Sequence, residues 1–181
     1  MQTVQVKDVM VPIEDYATVS ENAMLYDAVL ALEKAQAAFF KSPYHHRAIL
    51  VYDAHKKIVG KITQMDLLTA LEPKYNKMVD VDVLSRTGYS MDYIKSFTGF
   101  WKKPLDDICR KAATLEVKNF MYTPKDGEFI SDDAELNQAV HRLIQGRHQS
   151  LLVTRGNDIV GILRLSDVFK LVCEKIKACK I

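Results

Sequence analysis

The sequence predicts an α/β protein made of two copies of one β-α-β-β-α unit, related by a pseudo-twofold axis. Residues 45–71 read as a buried strand, a polar turn, a second strand and a helix. The same order returns over residues 147–172. Both copies also share a Val-Gly pair in the second strand and an aspartate that starts the apolar run of the helix: Val59-Gly60 and Val160-Gly161, Asp66 and Asp167.

In the first copy, the apolar run Ala48–Tyr52 predicts one strand, and Ile58–Ile62 predicts another after the turn at 53–57. The following helix should begin at Thr63. An earlier helix should follow Ser20, whose hydroxyl suits an N-cap, and should end before Pro43. Its apolar face is expected to consist of residues three or four apart: Leu25, Ala28, Val29 and Leu32.

The two copies align residue by residue. VKDVM at Val6–Met10 matches VKNFM at Val117–Met121 with an offset of 111, and Ser131 matches Ser20 with the same offset. At the glycines the offset is 101, so the first copy carries ten more residues, mostly around 37–44. The two copies agree in the N-cap serine, the apolar face of the first helix, the two strands and the aspartate, which indicates an internal duplication. Each half is too small to bury its apolar surfaces well on its own.

Domain boundaries follow from the repeat: a first repeat at 1–73, a helical insert at 74–116 and a second repeat at 117–181. A structureless connection as long as the insert is improbable in a compact domain. Gly88 and Ser90 are typical of a helix stop and a helix cap, and Pro104 suits the first position of a further helix, with Asp106 and Asp107 favourable at its N-terminus. Three aromatic residues form either an interaction surface or the contact of the insert with the core: Phe97, Phe100 and Trp101.

The composition excludes several classes of protein. A net charge of +2 argues against nucleic-acid or membrane-surface binding, and no apolar run approaches the ~20 residues of a membrane span. Three cysteines without a CxxC motif predict neither disulfides nor a zinc site, and the N-terminus lacks the pattern of a signal peptide, so we expect a cytoplasmic protein. The histidines do not form a metal-binding pattern, and no catalytic motif is present, so no enzyme and no metal are predicted.

The duplicated unit resembles a pair of CBS domains, the Bateman module. VKDVM and VKNFM resemble the opening motif of that family, and HRAILVYD and HQSLLVTR resemble its central strand. GKITQMDLL and GILRLSDVF resemble its Gxx[TS]xxD ending. The resemblance covers roughly 6–73 and 117–180, which is everything except the insert.

This resemblance implies a non-catalytic regulator that binds an adenine nucleotide (AMP, ADP or ATP) in clefts between the repeats and signals to an unidentified partner protein. It implies that Asp66 and Asp167 accept ribose hydroxyls, and that Thr63, His46 and Arg47 face phosphate or ribose. The loops after Met10 and Met121 would line the adenine: Met10, Val11, Pro12, Met121 and Tyr122. It also implies a homodimer that needs no other cofactor.

The chemistry of the residues agrees with these roles. A carboxylate can accept two neighbouring hydroxyls, the helix start at Thr63 offers free N–H groups to an anion, and the fork of donors of Arg47 fits phosphate. The alternative is that Thr63 and Asp66 merely cap the helix.

The second copy departs from the motif. Arg164 stands where Thr63 stands in the first copy, and Gln149 replaces an arginine, while Ser166 still precedes Asp167. Arg164 either supplies phosphate charge or fills the pocket. A dimerisation and interaction module with empty clefts therefore remains a rival, as does a binder of S-adenosylmethionine; a nucleic-acid binder would need a broad basic face.

Overall fold

The computed structural model describes residues 3–40, 43–71 and 104–179. The two predicted strands of the first repeat are β3 (Ala48–Tyr52) and β4 (Ile58–Thr63), preceded by the short strands β1 (Val11–Pro12) and β2 (Thr18–Ser20). The second repeat contributes β5 (Phe129–Ser131), β6 (Ser150–Arg155) and β7 (Asp158–Arg164). The described helices are α1 (Leu25–Ala38), α2 (Gln64–Leu71), α3 (Leu105–Ala113), α4 (Leu136–Gly146) and α5 (Leu165–Ala178).

The strands form two sheets, with the orders β1-β7-β6-β5 and β2-β3-β4. In each repeat a short strand pairs in parallel with the central strand, as β2 does with β3 and β5 with β6, and the central strand forms a hairpin with the next one. This repetition confirms the predicted α/β fold with tandem β-α-β-β-α units.

The middle residues of the central strands are apolar and buried on both faces, as in Ile49–Val51 and Leu151–Val153. Ile49 and Val51 pack toward α1 with Ala28, whereas Leu50 packs in a second cluster with Leu152 and Ile162 of the other repeat. Each such side chain contributes roughly 1.5–3 kcal/mol by leaving water. The layer between the two sheets is therefore the contact that joins the repeats.

Ser20 corrects one sequence prediction, because it does not cap α1. Residues 18–20 form β2, with Ser20 opposite Tyr52, and the helix begins only at Leu25. The capping role belongs to Asp27, whose carboxylate accepts the N–H of Met24 at 3.0 Å. The short strand was missed because three residues are too few for an alternating pattern to be recognised.

The predicted helix at Pro104 is present as α3, with Pro104 at its N-cap and Ile108 and Ala112 buried. The predicted helices around Gly88 and Ser90 lie outside the described residues, and so do Phe97, Phe100 and Trp101. The boundaries of the insert therefore stay a prediction.

Candidate functional site

The N-terminal segment of each repeat crosses over to the sheet of the other repeat. Val11 of β1 pairs with Ile162 of β7, and Tyr122 forms the corresponding antiparallel bridge with Lys61 of β4. Backbone hydrogen bonds between Lys61 and Tyr122 measure 2.8 and 2.9 Å. Each candidate cleft is therefore built from both halves of the chain.

Glycine permits this crossing at both places. A Cβ on Gly161 would lie 2.6 Å from the carbonyl oxygen of Val11, and one on Gly60 would lie 2.9 Å from the sulfur of Met121. Real Cβ atoms do not approach other atoms so closely, so a larger residue would push the crossing segment away. The Val-Gly pairs that revealed the duplication are thus explained by the close approach of the other repeat.

The first cleft, which we call the Asp167 cleft, is a cavity of about 310 Å³. The sequence-predicted residues that line it come from both repeats: Met10, Val11 and Pro12 from the first, Arg164 and Asp167 from the second. Phe39 and the charged side chains of Asp8, Lys170 and Glu174 complete its wall.

Arg164 donates hydrogen bonds to both carboxylate oxygens of Asp167, the predicted ribose acceptor of this cleft. Its guanidinium forms a two-pronged ion pair with Asp167, in which Nε donates to Oδ2 and Nη2 donates to Oδ1 at 2.8 Å. Nη1 donates to the carbonyl oxygen of Tyr44 at 3.0 Å, and the guanidinium carbon lies 5.1 Å from the ring centre of Phe39. Only 4% of Arg164 is exposed, so this cation is buried among partners.

The equivalent residues of the first repeat form a capping box at the start of α2. Oδ2 of Asp66 accepts the N–H and the hydroxyl of Thr63, both at 2.7 Å, and the Thr63 hydroxyl in turn accepts the N–H of Asp66 at 3.2 Å. The capping role is therefore real. Among the described residues no donor lies against Oδ1 of Asp66, so one carboxylate oxygen is still available.

The second crossing segment lies against β4, the strand that precedes α2: Lys61 pairs with Tyr122, and a Cβ on Gly60 would meet Met121. We use the name Asp66 cleft for Thr63, Asp66, Met121 and Tyr122, which correspond to residues lining the Asp167 cleft. Thr63 also lines the larger cavity described next, whereas Asp66, Met121 and Tyr122 line neither cavity.

A larger cavity of about 660 Å³, the central cavity, lies where α2 and α5 both begin. Two hydroxyl-bearing residues, Thr63 and Ser166, and two arginines, Arg47 and Arg164, are among the residues that line it. Its remaining wall is largely aromatic, amide and apolar: Tyr16, Tyr44, His45, Ala48, Gln64, Met65, Gln149, Ser150, Leu165 and Phe169. Two helix N-termini and the exposed Arg47 make this cavity suited to an anion, whereas the charge of Arg164 is already paired with Asp167.

His46 corrects the expectation that it faces phosphate. It is 2% exposed, lines neither cavity and packs between the rings of Tyr16 and Phe39, whose centres lie 4.4 and 4.6 Å away. Burial, together with the positive charge of Arg164, lowers the pKa of His46 to about 4. The imidazole is therefore neutral at pH 7 and belongs to the core, because a polar residue at the start of a strand can point inward as well as outward.

Sequence reasoning missed a buried polar cluster that joins the repeats. Lys61 forms an ion pair with Glu128, and the same carboxylate accepts the hydroxyl of Tyr122 at 2.6 Å and the N–H of Lys125 at 3.2 Å. Burial by itself raises the pKa of Glu128, but the hydrogen bonds from Lys61 and Tyr122 outweigh it and leave the pKa below its ordinary value. The alignment of the two repeats could have revealed this cluster, because the charged Lys61 aligns with the apolar Ile162.

In residues 3–40, 43–71 and 104–179, no group of three or more metal-ligating side chains is positioned to hold an ion. Over the same part of the chain, none of the helices has the length and apolar character that spanning a membrane requires.

Comparison with known proteins places this geometry in context. The family model described as CBS domain matches residues 6–73 and 117–174. A search of curated proteins found no significant match.

Solved structures with the same fold are similar at low sequence identity. CBSX2, described as a CBS-pair protein from Arabidopsis thaliana, is 16% identical with a TM-score of 0.59, and 97% of this chain and 99% of that chain are covered. CBSX2 in complex with AMP is 19% identical with a TM-score of 0.58, over 94% and 97% of the two chains. A CBS domain-containing protein of unknown function from Bacillus anthracis is 19% identical with a TM-score of 0.60, over 96% of both chains.

Proposed function

This chain belongs to the CBS domain family, and we propose that it is a regulatory, non-catalytic module that binds an adenine nucleotide and signals to a partner protein. The observation that carries the proposal is the central cavity, about 660 Å³ in volume, which is lined by Arg47 and Thr63 of the first repeat and by Arg164 and Ser166 of the second. The structural similarity to CBSX2, which is described in complex with AMP, supports the choice of an adenine nucleotide.

The Asp66 cleft is the proposed site of the nucleoside. Oδ1 of Asp66 would accept the ribose hydroxyls while Oδ2 continues to cap α2. The backbone of Met121 and Tyr122, held beside β4, would line the base. The phosphates would extend into the central cavity, where Arg47 is exposed and Thr63 opens a helix whose N-terminus favours negative charge.

We further propose that two copies of the chain associate through the exposed faces of α2 and α5. These helices present apolar side chains at helical spacing: Met65, Leu68, Leu165, Phe169, Val172 and Ile176. Met65 and Phe169 also line the central cavity, so a second copy seated there would cover the nucleotide. A face repeated on two helices by the internal duplication is suited to pairing with itself.

One observation favours the rival function of an interaction module with empty clefts. The ion pair between Arg164 and Asp167 engages both oxygens of one of the two predicted ribose acceptors. If the Asp66 cleft were also unused, the central cavity would serve only the association of the two copies.

A thermal-shift experiment separates the two functions. A ligand that binds only the native state at a ~100-fold excess over its Kd adds roughly 2.7 kcal/mol, which corresponds to a rise in Tm of about 5–10 °C for a chain of this size. We expect this rise with AMP or ADP and not with GMP. An unchanged Tm with AMP, ADP and ATP at millimolar concentration would favour the interaction module instead.

A further inference from the structure

Arg164 connects the two features in which the repeats differ most. It replaces the threonine of the first copy, and its partners Phe39 and Tyr44 belong to the stretch in which the first copy carries ten additional residues. Phe39 lies against the guanidinium, and the carbonyl oxygen of Tyr44 accepts from Nη1 at 3.0 Å. Nδ1 of His46 lies 3.3 Å from the same nitrogen. Phe39, Tyr44 and His46 of the first repeat are thereby attached to the helix start of the second.

The same side chain lies between the two cavities, because it lines both the Asp167 cleft and the central cavity. The side chains of Arg164 and Asp167 are only 5% and 11% exposed. A ribose hydroxyl is neutral and forms weaker hydrogen bonds to a carboxylate than a guanidinium does. A nucleoside alone therefore cannot compete for Asp167.

The two clefts are therefore not equivalent, although corresponding backbone segments of the two repeats form them. Asp66 has one carboxylate oxygen without a donor among the described residues, whereas each oxygen of Asp167 accepts from Arg164. At the position of Arg164 the first repeat has Thr63, whose hydroxyl and N–H donate to only one carboxylate oxygen of Asp66.

We propose that Arg164 is an internal plug that keeps the Asp167 cleft unavailable to nucleotide and holds Phe39, Tyr44 and His46 against the second repeat. This inference rests on the proposed function for the identity of the ligand. It predicts one nucleotide per chain in the wild type, at Asp66. It also predicts that removal of the guanidinium creates a second site at Asp167 and loosens the attached stretch.

The test compares the wild type with Arg164→Thr, which copies the first repeat, by calorimetric titration with AMP. The expected stoichiometry is one AMP per chain for the wild type and two for the variant. The double variant Arg164→Thr/Asp167→Asn should return to one. Because a buried carboxylate without its partner can destabilise the fold, Arg164→Gln serves as a second variant that retains a donor for Tyr44.

Two results would overturn the plug: two AMP molecules already bound to the wild type, or one AMP bound to the wild type and still only one bound to Arg164→Thr. No binding to the wild type but one AMP per chain in Arg164→Thr would support the plug and refute the Asp66 site.

A second readout does not depend on nucleotide. Hydrogen exchange of the amides of residues 43–48 should be faster in Arg164→Thr than in the wild type, without added ligand. If no variant binds AMP, the proposed function fails, and this exchange measurement alone decides the plug: unchanged exchange refutes it.

Discussion

Lys61 and Glu128, one from each repeat, form an ion pair whose side chains are only 8% and 4% exposed. At the equivalent positions of the other half stand Ile162 and Ala17, both apolar. The pseudo-twofold axis therefore relates the two charged residues of this contact to two apolar residues. Removing one member of a buried pair leaves the other uncompensated, whereas replacing both is far less costly.

We therefore predict that Lys61→Met lowers the free energy of unfolding by about 3–5 kcal/mol. The double variant Lys61→Met/Glu128→Gln should lose much less, because Gln still accepts the hydroxyl of Tyr122 and carries no charge. Urea denaturation of the three proteins at pH 7 measures both differences. A single variant within ~1 kcal/mol of the wild type, or a double variant no more stable than the single one, contradicts the prediction.

The lowered pKa of Glu128 determines the direction in which the stability of the fold changes in acid. The stabilisation by the ionised carboxylate is fully present above its ordinary pKa of 4.5 and is lost as the pH falls through the lower pKa of the folded state.

His46 should make the fold less stable in mild acid. Its pKa is about 4 in the folded protein and 6.5 when unperturbed, so below pH 6.5 the unfolded chain takes up a proton that the folded chain does not. The free energy of unfolding should fall by about 2 kcal/mol between pH 7.5 and pH 5 on account of this residue. Urea denaturation at the two pH values measures the change.

The variant His46→Phe should lose less stability over that pH range, since it keeps an aromatic ring between Tyr16 and Phe39 but cannot be protonated. His45→Gln is the control: His45 is exposed, so its replacement should leave the difference between the two pH values unchanged. Equal pH dependence in His46→Phe and the wild type would contradict the assignment.

Asp66 and Asp27 both cap a helix, but only Asp66 lies at the proposed nucleoside site. Asp66→Asn and Asp27→Asn should therefore each reduce stability by at most about 1 kcal/mol. If Asp66 also accepts ribose hydroxyls, its variant alone should weaken AMP binding by about ten- to hundred-fold, which corresponds to 1.5–3 kcal/mol. Calorimetric titration decides this: equal Kd values for the two variants would refute the site.

Association of two copies should depend on the α2 and α5 face. Phe169→Glu places a charge on that face, where Phe169 is 60% exposed, and should convert a dimer into a monomer of 20.6 kDa. Ile144→Glu is the matched control, because Ile144 is 70% exposed on α4. Light scattering of the three proteins at micromolar concentration measures the mass. A monomeric wild type, or dissociation by Ile144→Glu alone, would show that the face was chosen wrongly.

The repeated architecture can be read from the amino-acid sequence. Apolar runs such as Ala48–Tyr52 are long enough to identify a strand buried on both faces, and the aligned Val-Gly pairs and aspartates identify the duplication. The start of α2 and its capping by Thr63 and Asp66 are equally local, since all of the atoms involved lie within four consecutive residues. Interactions between neighbours in the chain leave a pattern that can be read without a structure.

The way in which the two repeats share their clefts depends on contacts between distant parts of the chain. The crossing of Met10–Pro12 onto β7, the burial of His46 and the pairing of Lys61 with Glu128 all join residues that are distant in the sequence. Arg164 shows the reason most clearly. The presence of an arginine at this position left open whether the side chain would bind phosphate or fill the pocket. Its role depends on contacts with Phe39 and Tyr44, which folding brings from the other repeat. A long side chain pairs with whatever charges and rings surround it, and those neighbours are set by the packing of the two sheets.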